Sequence, residues 1–156
     1  MRVYTEIYHD INNSPPYLIK IILSSKEEYN QEKSNKDFLD FIKLWKEYYD
    51  SQKEFCFIFD TQNLSKAPIS FCYRLVKFIN EIKKNQKQYL QFSIINVTNG
   101  FVKYLYKLLF TLTKPVAPVY IVKNLQESTQ LYEYKIKNNS MLNYYIKMND
   151  IAILNS

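Results

Sequence analysis

Polar and apolar residues alternate at the start of the chain. Val3, Thr5 and Ile7 interleave with Tyr4, Glu6 and Tyr8, the period-two signature of a half-buried strand. Asn12, Asn13, Ser14, Pro15 and Pro16 interrupt that pattern, and residues 17–23 read as a second strand beyond the turn. Residues 24–35 are polar and read as a loop. Phe38, Phe41, Ile42, Trp45, Tyr48 and Tyr49 then recur at helical spacing, with Asp37 near the positive end of that helix's dipole.

The next segments are continuous rather than alternating. Residues 55–59 are all apolar and end at Asp60, the habit of a parallel strand covered on both faces. Pro68 suits the first turn of a helix, and Phe71, Leu75, Phe78, Ile79 and Ile82 form its apolar stripe. Residues 92–97 repeat the buried-strand pattern, and Phe101, Leu105, Leu108, Leu109 and Leu112 repeat the helical one. Pro115 and Pro118 bracket the loop into a third buried strand, residues 119–122. Asn124 with Glu127 three positions later has the spacing of a capping box, opening a helix to about Ile136.

The element order is β-β-α-β-α-β-α-β-α. Single helices between strands imply right-handed crossovers, so the expected fold is α/β with a mixed, mostly parallel sheet. Residues 1–137 form one domain. Residues 138–156 form a C-terminal tail that is free to pack on it, and positions 141–148 fit strand and helix equally.

With its opening strand pair and three buried strands alternating with helices, this order resembles the STAS domain of anti-sigma-factor antagonists and sulfate-transporter tails. The resemblance runs from Val3 to Ile136 and includes the strand ending in Asp60, a helix over about 70–87, and the closing Val119, Tyr120, Ile121, Val122 strand. STAS regulators carry an acidic residue and two serines at the start of the helix after the Asp60-type strand. Here that stretch is Pro68, Ile69, Ser70, so Ser70 and Ser65 are the phosphorylation sites the resemblance implies. Two local patterns are also similar to the CRAL-TRIO lipid-transfer core: Asp60-Thr61-Gln62-Asn63-Leu64-Ser65, and Ile94-Ile95-Asn96-Val97-Thr98-Asn99-Gly100-Phe101. That second resemblance implies binding of a lipid or an anionic membrane surface.

Composition narrows the chemistry. Gly100 is the single glycine, which excludes glycine-rich phosphate loops, and one histidine with two cysteines leaves little for triads or zinc sites. His9 stands beside Asp10, but no nucleophile completes a catalytic dyad, so it reads as a surface histidine. No catalytic residue, metal or cofactor is expected. Cys56 and Cys72 fall in apolar segments and read as small buried hydrophobes. Asn138 formally opens an Asn-X-Ser glycosylation site. No apolar leader and no membrane-length apolar run is visible, so the expected setting is intracellular, cytoplasmic or virion-associated. The excess of lysine over arginine, 19 to 2, matches an A/T-rich genome such as a protist's or a large DNA virus's.

Charge is distributed unevenly. Residues 1–54 hold 8 basic and 10 acidic side chains, whereas residues 74–123 hold nine basic ones against Glu81 alone. A helical wheel puts Lys77, Lys84 and Lys87 opposite one apolar stripe, and Lys103 and Lys107 opposite the next, with Tyr106 and Phe110 on that same outer side. These seven residues form the expected partner-binding face. Asp60, Asn63, Ser65 and Asn96 mark a second candidate, a ligand edge at the carboxyl ends of the parallel strands. The expected function is a non-catalytic, STAS-like interaction module that docks its basic face on an acidic protein or on itself. The alternative is CRAL-TRIO-like lipid or anionic-membrane binding. Two arginines far apart in sequence argue against specific duplex nucleic-acid recognition.

Overall fold

Residues 55–59 lie at the middle of a sheet whose two faces are both covered, which is why the run is apolar throughout. In the computed structural model, which describes residues 1–8, 14–137 and 139–156, this segment belongs to strand β3 (Phe55–Asn63). His9, Asp10 and Asn138 lie outside the described residues. The other strands are β1 (Arg2–Tyr8), β2 (Tyr17–Ser24), β4 (Leu90–Asn96), β5 (Val119–Val122) and β6 (Ala152–Leu154). The helices are α1 (Gln31–Asp50), α2 (Ile69–Ile82), α3 (Gly100–Leu112), α4 (Leu125–Ile136) and α5 (Leu142–Met148).

The six strands lie side by side in sequence order. β2 to β5 are parallel, and β1 and β6 close the two edges antiparallel. The fold is therefore α/β with a mixed, mostly parallel sheet. Each crossover steps to the next strand in the same direction, so the shared right-handed sense puts α1, α2 and α3 on one face. They share a core there with Phe55 and Phe57, while Cys56, Ile58, Phe92 and Ile94 face α4 on the other side. The tail extends the order with α5 and the edge strand β6, and its Ile151 is buried in the α4-side core.

The two helical layers pack differently. α4 lies close against β3, β4 and β5, helped by Ser128, a small side chain that is fully buried. On the opposite face the floor consists of rings. Trp45 meets Phe57 at 5.2 Å and Phe78 at 5.0 Å between centroids, both edge-on, and Phe41 meets Phe57 at 5.7 Å. Each such pair contributes about 0.5–1.5 kcal/mol beyond its buried area. Rings at these spacings hold the helices off the sheet.

Three asparagines start three helices. The side chains of Asn30, Asn99 and Asn124 accept from the backbone N–H of Lys33, Val102 and Glu127 at 3.0, 3.0 and 2.9 Å, each cap stabilising by about 1 kcal/mol. At Asn124 the capping-box expectation holds in one direction only. The Glu127 carboxylate accepts from Lys123 N at 2.8 Å, one residue before the cap.

Two expected helix boundaries are corrected. α1 begins at Gln31, inside the stretch read as loop, so Asp37 lies beyond the first turn instead of at the dipole's end. There it accepts from Arg2 Nε at 2.6 Å and from Val3 N at 3.0 Å, tying β1 to α1. α2 ends at Ile82 and not near residue 87, because Asn85 Nδ2 and Gln88 Nε2 donate to the Ile82 carbonyl at 2.9 and 3.1 Å.

Candidate functional site

α2 and α3 each follow a buried strand and run back over the ring-lined face. α2 turns Cys72, Leu75, Phe78 and Ile79 inward. α3 is apolar nearly all round, so its buried side is settled by packing, and Val102 and Leu109 are its most buried residues. Between these helices and the sheet an apolar crevice of about 100 Å³ remains unfilled. Ile21, Phe59, Ser93, Ile95 and Val119 supply its floor, Cys72, Leu75, Leu105 and Leu109 its roof, and Pro115, Val116 and Ala117 one end. The Thr61 hydroxyl also lines it but is spent on Asn96 Oδ1 at 2.8 Å.

The crevice changes the reading of α3. Tyr106 and Phe110, expected on the outer lysine face, are half-buried and line the crevice, with Phe110 packed on the core. Leu112, expected in the core stripe, is exposed. The observed stripe is Val102, Leu105, Tyr106 and Leu109, rotated by about one residue from the expected one. The outward aromatics are Tyr104 on α3 and Tyr73 on α2, exposed at 55% and 54%. Sequence reasoning missed both, although Tyr104 directly follows Lys103.

Lys77, Lys84, Lys87, Lys103 and Lys107 are all exposed. Lys84 and Lys87 occupy the turn after α2 and not its outer face, since the helix has already ended. Lys87 Nζ stands 5.2 Å from the centroid of the Tyr89 ring. Among the described residues, the ion pairs use Arg2, Lys20 and Lys36, and none involves these five lysines. These five lysines therefore carry their charge without an ion pair among the described residues.

The other candidate, the strand edge, is tied up in structure. Asp60 accepts from Gln62 N at 3.1 Å and faces Lys20 Nζ at 3.8 Å. Asn96 accepts from Thr61 N at 2.8 Å, leaving its buried Nδ2 without a partner. The Asn63 carbonyl accepts from Ser25 N, and Ser65 N donates to Ser25 Oγ, both at 2.9 Å. The four residues thus sit at the same end of the sheet, but as junctions between β2, β3 and β4 and the loops that follow. Ser65 and Ser70 are exposed.

Cys56 and Cys72 are buried on opposite faces of the sheet, and burial pushes both thiols above their ordinary range. Among the described residues no three His, Cys, Asp or Glu side chains gather closely enough to hold a metal ion. No described helix is long and apolar enough to cross a membrane. Comparison with known proteins found no match among family models, curated proteins or solved structures.

Proposed function

We propose that this protein is a non-catalytic binding module for an amphipathic anion of the lipid class. The apolar part of the ligand enters the crevice under α2 and α3, and its charge meets the surrounding lysines. The observation that carries this reading is the inward turn of Tyr106 and Phe110 onto an apolar crevice beneath α2 and α3, helices whose Lys77, Lys103 and Lys107 are exposed and make no ion pair among the described residues. The local similarity to the CRAL-TRIO core at residues 60–65 and 94–101 agrees with it. So do Tyr73 and Tyr104, because exposed tyrosines among lysines suit the boundary between acyl chains and headgroups.

A STAS-like protein-interaction module is the second reading. It is favoured by the near absence of acids from residues 74–123, which presents a uniform field to an acidic protein surface. Native mass spectrometry of the purified chain, together with sedimentation on vesicles containing anionic lipid, separates the two. The lipid reading expects a co-purifying small amphiphile and vesicle binding that fades with salt. A chain free of small-molecule adducts that ignores anionic vesicles at low salt would overturn it in favour of a protein partner.

A further inference from the structure

β1 is an open edge of the sheet. It runs for seven residues with no proline, no lysine and an unbroken register against β2. Among the described residues no strand pairs with its other side. Sheet edges are ordinarily blunted by shortness, lysine, proline or a bulge. The opposite edge follows that rule, since β6 has three residues, but β1 carries none of these devices. Its Tyr4, Thr5, Glu6 and Ile7 are exposed, Ile7 at 47%.

Two hydrogen bonds fix which backbone groups are open. Tyr17 N donates to Glu54 O at 2.9 Å, so the odd residues of β2 point to β3 and its even residues to β1. Tyr4 lies opposite Ile22 and Glu6 opposite Lys20, so the even residues of β1 bond to β2. Val3, Thr5 and Ile7 therefore point outward. Val3 agrees, since its N–H donates to Asp37 Oδ2 at 3.0 Å. Among the described residues nothing bonds the outward N–H or C=O of Thr5 or Ile7. The Asp37 carboxylate stands where an added strand's carbonyl would sit at Val3, so such a strand bonds at Thr5 and Ile7 and stops short of Val3.

These constraints disfavour a second copy as the occupant. Setting Thr5 against Thr5 of a second copy brings that copy's Ile7 carbonyl onto the Asp37 carboxylate. One step along, Glu6 faces Glu6, and like charges directly opposite destabilise a strand pair. A further step leaves Ile7 against Ile7 as the one bonding pair within β1. Glu6 has room for a cation. Tyr8 Oη donates to its Oε2, while the Lys20 ammonium across the ladder pairs with Asp60 at 3.8 Å.

We propose that the β1 edge takes an extended peptide of a partner protein, added antiparallel, with a lysine or arginine opposite Glu6 and a β-branched residue on each side of it. Main-chain bonds at Thr5 and Ile7 dock the peptide, and the residue facing Glu6 sets the choice of partner. The flanking side chains lie on the other face of the strand, beside Thr5 and Ile7, which are themselves β-branched. The inference goes beyond the crevice reading and does not depend on it.

The test is an NMR titration of the full chain with acetyl-Thr-Val-Lys-Val-Thr-amide, with the same peptide carrying Glu for Lys, and with a version N-methylated at both valines. The amides of Thr5 and Ile7 shift and exchange about tenfold more slowly at saturation, while those of Tyr4 and Glu6, already bonded to β2, barely move. The Glu peptide binds about 3- to 10-fold more weakly, and the N-methylated one does not bind. Glu6→Gln levels the two affinities and Glu6→Lys reverses their order; the first keeps the charge test readable where the second disturbs the fold. Binding of the N-methylated peptide, or no response at Thr5 and Ile7, overturns strand addition. Equal affinity of wild type for the Lys and Glu peptides overturns the basic partner. A dimer in sedimentation equilibrium, with those two amides protected before any peptide is added, overturns the choice of occupant in favour of a second copy.

Discussion

Ala117→Leu separates what the crevice does for stability from what it does for binding. Ala117 is buried at the end of the crevice near Lys114. Leucine adds three carbons there, at about 0.8 kcal/mol for each methylene-sized group buried, so a perfect fit would stabilise by about 2 kcal/mol. Imperfect fit in a packed core costs about 1–3 kcal/mol, which places the net effect between about 1 kcal/mol of destabilisation and, for a perfect fit, about 2 kcal/mol of stabilisation. For a chain of 156 residues each kcal/mol moves Tm by about 2–4 °C, so the midpoint lies between about 4 °C lower and about 8 °C higher. The same side chain occupies the space assigned to the ligand, so affinity for an amphipathic anion such as decanoate falls at least tenfold. Urea unfolding followed by circular dichroism gives the first quantity and calorimetry the second. Loss of more than about 2 kcal/mol with ligand binding intact would refute the reasoning, since the added atoms would then have met packed protein where empty space was expected.

Three other substitutions test separate parts of the account. Thr61→Val removes the buried hydroxyl that donates to Asn96 and should cost about 1–3 kcal/mol in urea unfolding; a neutral result would mean the β3–β4 junction is not held there. At Asp37 burial pushes the carboxyl up, but the hydrogen bonds from Arg2 and Val3 and the charges of Arg2 and Lys36 outweigh it and hold the carboxyl below its usual range. Because the folded value is the lower one, the stability it contributes is present above about pH 4 and is lost as pH falls through the folded value. The advantage of wild type over Asp37→Asn in thermal melts should therefore shrink on acidification, and an advantage independent of pH would contradict the pairing. Replacing Lys77, Lys84, Lys87, Lys103 and Lys107 together by Gln should leave the urea midpoint within about 1 kcal/mol and abolish sedimentation with anionic vesicles; unchanged sedimentation would take these lysines out of the binding surface.

The sheet was legible in the sequence because its strands are buried on both sides. β5 matches the expected 119–122 segment, and β3 and β4 contain most of theirs. The first turns of α1 were not legible, since residues 31–37 are all polar and carry no apolar period. Their sign was Asn30, an N-cap at the head of a polar stretch. The phase of α3 was hidden for the opposite reason. With apolar residues on nearly every side, two overlapping stripes fit the sequence, and only contact with the sheet selects Val102 and Tyr106 over Leu112. That one-residue rotation moved Tyr106 and Phe110 from the surface into the candidate site. The edge strand β6 has just three residues, too short a segment for alternation to declare itself. Asp60 and Asn96 looked like ligand groups because ligands favour that end of a parallel sheet. Asp60, buried beside Lys20, and Asn96, bonded to Thr61, are instead occupied by the junctions they complete.

Trp45 is the sole tryptophan, almost fully buried, and it lines the crevice. A bromine atom quenches indole emission only on close approach, so titration with 11-bromoundecanoate asks directly whether an acyl chain enters. The account predicts saturable quenching of Trp45 at one ligand per chain, reversed by excess decanoate and missing in Ala117→Leu. Emission that stays constant, or falls linearly without saturation in wild type and variant alike, would contradict it.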